Sequence, residues 1–139
     1  MKYIVGDIGN TSTKVCILNN KFKIIKSFIF ETIKLYKKNY LKIVLKDQLN
    51  KNLNSIFLFS SVVPLAFKEI KKNFKSTKFK IFEIKEFDLK KIININIKNK
   101  DQIGSDRIAN AIGVKQLKNC LILDFGTATT FDIIKNGVY

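Results

Sequence analysis

The chain has 139 residues, of which 46% are hydrophobic, so it is long enough for one domain with a sizeable core. It contains no histidine, which excludes histidine general bases, Ser-His-Asp triads and histidine-ligated metals. Lys and Arg total 26 against 11 acidic residues, but Arg107 is the single arginine and the lysines are scattered, so we expect no nucleic-acid partner.

Targeting and membrane signals are missing from the sequence. No apolar run approaches the roughly 18–20 residues that a membrane-spanning helix needs. The first residues lack the basic start, apolar core and cleavage site of a signal peptide. We therefore expect a cytoplasmic protein with no membrane partner. Cys16 and Cys120 lie in apolar, strand-like runs and are predicted to be buried, reduced thiols.

The first half of the chain predicts an α/β pattern. Alternating and apolar runs predict strands over about 2–8, 13–19, 22–30, 55–63 and 78–84. Short turns join the first three strands, the second of them at Asn19-Asn20-Lys21, so these strands are predicted to form an antiparallel meander. Helical spacing predicts a helix over 31–50, with an apolar stripe at Ile33, Tyr36, Tyr40 and Ile43 or Val44. Pro64 begins a predicted helix that runs over 65–74.

The second half continues with shorter elements. Ile93, Ile95 and Ile97 alternate with polar residues and predict a half-buried strand. A helix is predicted over 105–116, with Gly104 or Ser105 at its N-cap. Apolar runs over 120–124 and 131–134 predict two strands around a polar turn, and Asn136-Gly137 predicts a tight hairpin turn.

Two turns of similar sequence are candidate phosphate sites. The first is D-I-G-N-T-S-T, from Asp7 to Thr13, and the second is D-F-G-T-A-T-T, from Asp124 to Thr130. Backbone N–H groups and hydroxyls in such turns can approach a phosphate closely, and the carboxylate can hold a metal ion beside it. Two such turns suggest two related subdomains that face one ligand, the second represented only by its opening hairpin. Each turn could also be an ordinary β-hairpin.

Phosphoryl transfer also needs a group that orients or deprotonates the acceptor hydroxyl. Asp106, in Gly104-Ser105-Asp106-Arg107, is the candidate, and Arg107 offers a fork for a carboxylate or phosphate. Alternatively, Asp106 is a first-turn acid that complements the helix dipole and Arg107 is a helix-surface residue. Neither a P-loop motif nor a Rossmann G-x-G-x-x-G motif occurs in the sequence.

Four short motifs, in order and at matching spacing, resemble the type III pantothenate kinases of the sugar kinase and actin superfamily. They are D-I-G-N-T from Asp7, S-S-V-V-P from Ser60, G-S-D-R from Gly104 and D-F-G-T-A-T-T-F-D from Asp124. The resemblance covers the whole chain but only the first half to two-thirds of a family member. It implies a ribonuclease H-like (actin-like ATPase) fold. We expect a first subdomain over 1–117 and the opening hairpin of a second over 118–139.

The resemblance also implies an activity and its residues. Similar enzymes phosphorylate pantothenate with ATP and magnesium, the first step toward coenzyme A, and are typically homodimers. ATP-binding residues would be Asp7, Ile8, Gly9, Asn10, Thr11, Ser12, Thr13, Lys14 and Thr127, with Asp7 also near magnesium. Gly104, Ser105, Asp106 and Arg107 would line the pantothenate pocket, with Asp106 as the base. Asp124 would hold an activating potassium or ammonium ion.

Two rival functions remain open at this point. The chain could be a non-catalytic nucleotide-binding or transcription-accessory domain that kept the turn and lost catalysis. It could also belong to another enzyme of the same superfamily that acts on a different hydroxyl or acid substrate. We expect the chain alone to be inactive. We also expect exposed apolar side chains on the last hairpin, at Leu121, Leu123, Phe131 and Ile133.

Overall fold

The computed structural model describes residues 2–49, 53–99, 102–126 and 128–139. The chain forms two compact units, Met1–Glu83 and Ile84–Tyr139. The subdomain boundary predicted between residues 117 and 118 comes from the repeated D-x-G turn motif. The division into compact units rests on contacts instead, so the predicted boundary stays a prediction. Each unit has its own apolar core.

The first unit is a mixed α/β sheet with helices. Its strands lie in the order β3-β2-β1-β4-β5. The first three strands pair antiparallel, whereas β4 pairs with β1 and β5 pairs with β4 in parallel. This confirms the predicted mixed sheet with an antiparallel opening meander. Its strands and helices are β1 Lys2–Ile8, β2 Ser12–Leu18, β3 Ile24–Glu31, α1 Tyr40–Val44, α2 Lys46–Leu49, β4 Leu53–Ser61, α3 Pro64–Phe74 and β5 Lys80–Glu83.

One face of this sheet forms the core of the first unit. Alternate residues of β1, β2 and β4 are buried because successive side chains of a strand point to opposite faces. Helix α3 begins at Pro64, whose missing N–H costs nothing in a first turn, and its buried side chains join the same core. The core residues of these elements are Ile4, Ile8, Val15, Ile17, Phe57, Phe59, Ala66, Phe67, Ile70 and Phe74.

The helix predicted over 31–50 is wrong as a single element. The chain forms a 3₁₀ helix over Thr32–Tyr36 and then the short helices α1 and α2. Asn39 interrupts the run because it adopts a left-handed backbone with φ of 58°. The predicted stripe is wrong at Ile33, Tyr36 and Ile43, which are exposed. It is right at Tyr40 and Val44, which are half-buried against the core of the first unit. The broken helix instead buries three leucines, Leu35, Leu41 and Leu45.

The second unit is built around α4 Ser105–Gly113 and the antiparallel pair β6 Cys120–Phe125 and β7 Thr129–Ile134. The 3₁₀ helices Ile84–Glu86 and Leu89–Lys91 precede them in the chain. Gly137 and its neighbour Asn136 both have positive φ, at 75° and 52°, which confirms the predicted tight turn. Cys120 is half-buried, Cys16 is buried, and both are free thiols.

The strand predicted over 93–97 is wrong. In the described part of that segment the ladder is reduced to an isolated bridge between Asn94 and Val138. The burial pattern was nevertheless right, because the isoleucines are buried or half-buried and the asparagines between them are exposed. An extended segment can bury alternate side chains without pairing to a strand. Alternation in the sequence therefore predicts which side chains are buried, but not whether the segment forms a ladder of hydrogen bonds. No helix within the described residues is long and apolar enough to cross a membrane.

Candidate functional site

Asp7 lies at the carboxyl end of β1, beside two polar residues of neighbouring strands. Lys14 of β2 and Ser60 of β4 are its register partners. Ser60 Oγ donates a hydrogen bond to Asp7 Oδ1 at 2.5 Å. Asp7 is exposed, and its Oδ2 accepts no hydrogen bond from the residues that the structure describes. The parallel β1–β4 pair thus presents a carboxylate with one oriented and one uncommitted oxygen.

Thr32 is hydrogen-bonded to the turn that follows Asp7. Its hydroxyl donates to Gly9 O at 2.6 Å, and its backbone N–H donates to Thr11 O at 2.9 Å. Thr13 Oγ1 lies 3.0 Å from Thr32 Oγ1. Because the single Thr32 hydroxyl proton goes to Gly9, Thr13 is the donor in that pair. Within the turn, Gly9 N donates to Ser12 O at 3.0 Å.

The predicted ATP-binding residues of the first turn differ in how far they are exposed. Ile8 and Thr13 are completely buried, main chain included, so a ligand could not contact either residue in this structure. Gly9 is half-buried. The remaining predicted residues are exposed: Asp7, Asn10, Thr11, Ser12 and Lys14.

In the second unit, the predicted substrate segment forms the start of α4. Gly104 is the N-cap residue, with an extended backbone, and Ser105 is buried. Asp106 is half-buried, and its Oδ1 accepts the backbone N–H of Arg107 at 2.8 Å. Its other oxygen accepts no hydrogen bond among the described residues. Asp106 therefore fills the position of a first-turn acid and keeps one oxygen for other chemistry.

Arg107 is bound to a buried carboxylate of β7. Arg107 Nε donates to Asp132 Oδ1 at 2.7 Å, and Arg107 Nη2 donates to the same oxygen. Tyr139 OH also donates to Asp132 Oδ1, at 2.7 Å. The hydrogen bond with Asp132 raises the pKa of Arg107 above its ordinary value. Burial, reinforced by the hydrogen bond to Asp132, raises the pKa of Tyr139 to about 12.

Asp124 lies in the second D-x-G turn, on β6. Asn110 Nδ2 of α4 donates to Asp124 Oδ2 at 2.9 Å. The register partner of Asp124 is Thr130, whose Oγ1 is buried without a hydrogen-bond partner in the described part of the chain. The turn itself closes with Gly126 N donating to Ala128 O at 3.3 Å. Thr127, the remaining predicted ATP-binding residue, lies outside the described residues.

Comparison with known protein families decides where the chain belongs. Residues 3–139 match the sequence model of a family described as type III pantothenate kinase. The chain belongs to that family. The match runs through both units and includes both D-x-G turns and the G-S-D-R segment. It confirms the family expected from the four short motifs.

Curated relatives in this kinase family agree with the assignment. The chain is 49% identical over 139 residues to the type III pantothenate kinase of Pelagibacter ubique, covering 98% of this chain and 55% of the relative. It is 33% identical to the type III pantothenate kinase of Kosmotoga olearia, covering 98% of this chain and 54% of the relative. The chain therefore spans about half the length of the curated relatives it matches.

A solved structure supports the fold of this pantothenate kinase family member. A protein of Cytophaga hutchinsonii described as a sugar kinase matches 99% of this chain and 49% of its own, with a TM-score of 0.54 and 14% identity. At that identity the likeness concerns the fold alone. It agrees with the predicted sugar kinase and actin-like architecture.

Several polar residues of this family member were missed as site residues by reasoning from the sequence. Ser60 and Asp132 lie inside quoted motifs, so the motifs carried a signal that was not assigned a role. Thr32, Asn110 and Tyr139 lie outside them. Their side chains reach Gly9, Asp124 and Asp132 respectively, over sequence separations of 23, 14 and 7. Local pattern cannot reveal such contacts, because they depend on how the elements pack.

Proposed function

We propose that this chain belongs to an enzyme that transfers a phosphoryl group from ATP to the hydroxyl of pantothenate, giving 4'-phosphopantothenate. The observation that carries the proposal is the family match over residues 3–139. The arrangement of polar groups at β1 and at the start of α4 is consistent with it. The complete activity is a proposal because the chain spans about half the length of its relatives.

The first turn is the proposed site for the ATP phosphates. Phosphoryl transfer depends mainly on positioning and on stabilising charge, which main-chain N–H groups, hydroxyls and a lysine can supply. The exposed Asn10, Thr11, Ser12 and Lys14 offer these groups. Magnesium bound with ATP needs few protein ligands, and oxygen ligands suit it. The uncommitted Oδ2 of Asp7 fits that requirement, and the bound metal would neutralise charge on the phosphates.

The start of α4 is the proposed site for pantothenate. Asp106 would accept the proton of the attacking hydroxyl through the carboxylate oxygen that the Arg107 N–H leaves free. The hydroxyl oxygen would then bond to the γ-phosphorus of ATP as ADP leaves. Arg107 would bind the carboxylate of pantothenate, because a guanidinium matches the geometry of that group.

The second D-x-G turn is the proposed site for a monovalent cation. Asp124 would hold a potassium or ammonium ion. Its Oδ1 and the Oγ1 of Thr130 have no hydrogen-bond partner among the described residues, and both are oxygen ligands that suit such a cation. Thr127 would add an ATP contact. We also propose that the complete enzyme is a cytoplasmic homodimer, as expected from the family resemblance.

A coupled assay with pantothenate, ATP, magnesium and potassium tests the function. It compares this chain with a form extended through its reading frame to the length of its relatives. We expect the extended form to turn over, and Asp106→Asn to lower kcat by about 100-fold or more, the contribution typical of a general base. Binding of ATP, measured by calorimetry, should be unchanged. Asp47→Asn, the same change on an exposed carboxylate of α2, serves as the control.

The outcomes separate the rival functions. Undiminished turnover by Asp106→Asn would remove Asp106 as the base. Binding of ATP without turnover in both lengths would favour a non-catalytic nucleotide-binding domain. Turnover with another hydroxyl substrate but not with pantothenate would favour a different kinase of the same superfamily.

A further inference from the structure

The carboxylate of Asp132 is buried in the second unit with an unusual distribution of hydrogen bonds. Its side chain has no exposed area, and all of its donors meet at one oxygen. Arg107 donates to Oδ1 through both Nε and Nη2, and Tyr139 donates to the same atom. Oδ2 is buried without a partner among the described residues. Asp132 thus depends on Arg107 for its charge compensation.

The need of the buried Asp132 carboxylate for a cation fixes the orientation of Arg107. Moving Arg107 away would leave a buried carboxylate without a cation, which costs more than an exposed ion pair gains. Arg107 Nη2 also donates to Phe131 O at 3.3 Å, so a second atom of β7 holds the same edge of the guanidinium. Arg107 Nη1 makes no hydrogen bond with the described residues, and the side chain is 37% exposed. The inner edge of the guanidinium is occupied and the outer nitrogen is available.

We propose that Asp132 is the positioning residue for Arg107, holding its Nε–Nη2 edge so that Nη1 is presented to the carboxylate of the substrate. The proposal rests on the proposed function for the identity of that substrate. A guanidinium on an exposed stem would otherwise sample many rotamers, and ordering it on binding would weaken affinity. Because Arg107 follows Asp106 in the first turn of α4, the same anchor also restrains the residue proposed as the base.

The single arginine of this chain allows a test without any substrate. Its Nε–H gives one signal in ¹H–¹⁵N spectra, which belongs to Arg107 without further assignment. We expect its exchange with solvent to be at least about tenfold slower than in free arginine, because a charge-assisted hydrogen bond protects it. Asp132→Asn should abolish that protection while the β6 and β7 amides stay protected, and Asp47→Asn should not. Exchange in the unmodified chain as fast as in free arginine overturns the proposal.

Kinetics of the extended enzyme provide a second test. Asp132→Asn is expected to raise the KM for pantothenate about tenfold, the effect of losing one charge-assisted hydrogen bond, with the KM for ATP within about twofold. Arg107→Lys should do the same, because lysine lacks the fork. The double variant should be no worse than Arg107→Lys alone, since Asp132 acts through Arg107. Additive effects, or equal rises in both KM values, would mean that Asp132 is merely structural.

The two tests distinguish failure of this inference from failure of the proposed function. A protected Nε–H that Asp132→Asn releases supports the positioning role even if the enzyme does not use pantothenate. Turnover of pantothenate with an unprotected Nε–H supports the function and overturns the positioning role.

Discussion

Hydroxyl side chains orient the polar groups of this molecule at the scale of single residues. Ser60 binds one oxygen of Asp7, Thr32 binds Gly9 O, and Tyr139 binds Asp132 Oδ1. Each of these three donors is a buried residue, and its hydrogen bond restricts the orientations that the accepting group can adopt. The proposed phosphoryl transfer would need such fixed geometry, because catalysis of that reaction comes mainly from positioning and electrostatics.

Tyr139 is expected to make the free energy of unfolding depend on pH in the alkaline range. Its hydroxyl donates to Asp132, and a tyrosinate could not donate and would repel the carboxylate. Because its pKa is raised in the folded state from about 10 to about 12, its contribution is complete below pH 10 and is lost as pH rises toward 12. We expect the difference in unfolding free energy between the unmodified chain and Tyr139→Phe to shrink over that range.

Urea titrations between pH 8 and 12 measure that difference. Tyr36→Phe is the matched control, because Tyr36 is exposed on the 3₁₀ helix Thr32–Tyr36. A difference that stays constant or grows across this range contradicts the expected role of the Tyr139 hydroxyl.

At the scale of elements, the packing of β1 beside β4 depends on a glycine, because a side chain at residue 6 would overlap the ring of Phe59. Gly6 is the register partner of Phe59, whose ring lies over it in the core. A methyl group at residue 6 would lie 2.3 Å from the Phe59 ring, far inside contact distance. Because Phe59 is completely buried in a packed core, its ring has no free space into which to move.

Gly6→Ala is therefore expected to lower the free energy of unfolding by about 1–3 kcal/mol, the usual cost of overpacking a core. Urea denaturation measures the change. Gly113→Ala is the control, because a methyl group there meets nothing within 4 Å and alanine favours the helix. Equal stability of the Gly6→Ala chain and the unmodified chain would mean that the ring and the strands can shift apart at little cost.

At the scale of the whole chain, the surface carries an apolar patch on the outer face of the β6–β7 hairpin. Leu121 faces Ile133 and Leu123 faces Phe131 across the two strands, and these side chains are 46% to 65% exposed. The structure confirms the exposure expected at these positions. Contiguous exposed apolar side chains of this size favour association.

We expect the 139-residue chain to associate with itself through this patch as its concentration rises. Replacing Phe131 by Ser and Ile133 by Thr together should weaken association at least about tenfold, because each large apolar side chain contributes about 1.5–3 kcal/mol when buried. Sedimentation equilibrium measures the dissociation constant. Ile29→Thr, on the edge strand β3, is the control for an exposed isoleucine elsewhere. A monodisperse monomer with a protected β6–β7 hairpin in hydrogen exchange would contradict the expectation.

Local chemistry explains what could be predicted from the sequence. The strands β1, β2, β4 and β6, the helix α3 and the Asn136-Gly137 turn follow from side-chain alternation, a proline and backbone preferences, which act between near neighbours. The same reasoning failed over 31–50, where apolar spacing was read as one helix although Asn39 breaks it. The motifs also identified Asp7, Asp106, Arg107 and Asp124 as candidates, and their roles stay predictions.

By itself the sequence determined the order of most elements, the family and the candidate residues. Only the tertiary structure decided which partners those residues have. Ser60 meets Asp7 across 53 residues, and Asp132 meets Arg107 across 25. The hydroxyl of Thr13, a predicted ATP-binding residue, is buried and lies 3.0 Å from the hydroxyl of Thr32. The physical reason is that a hydrogen bond between distant residues depends on strand register and helix packing, which are set by burial of the whole core and not by local residue preference.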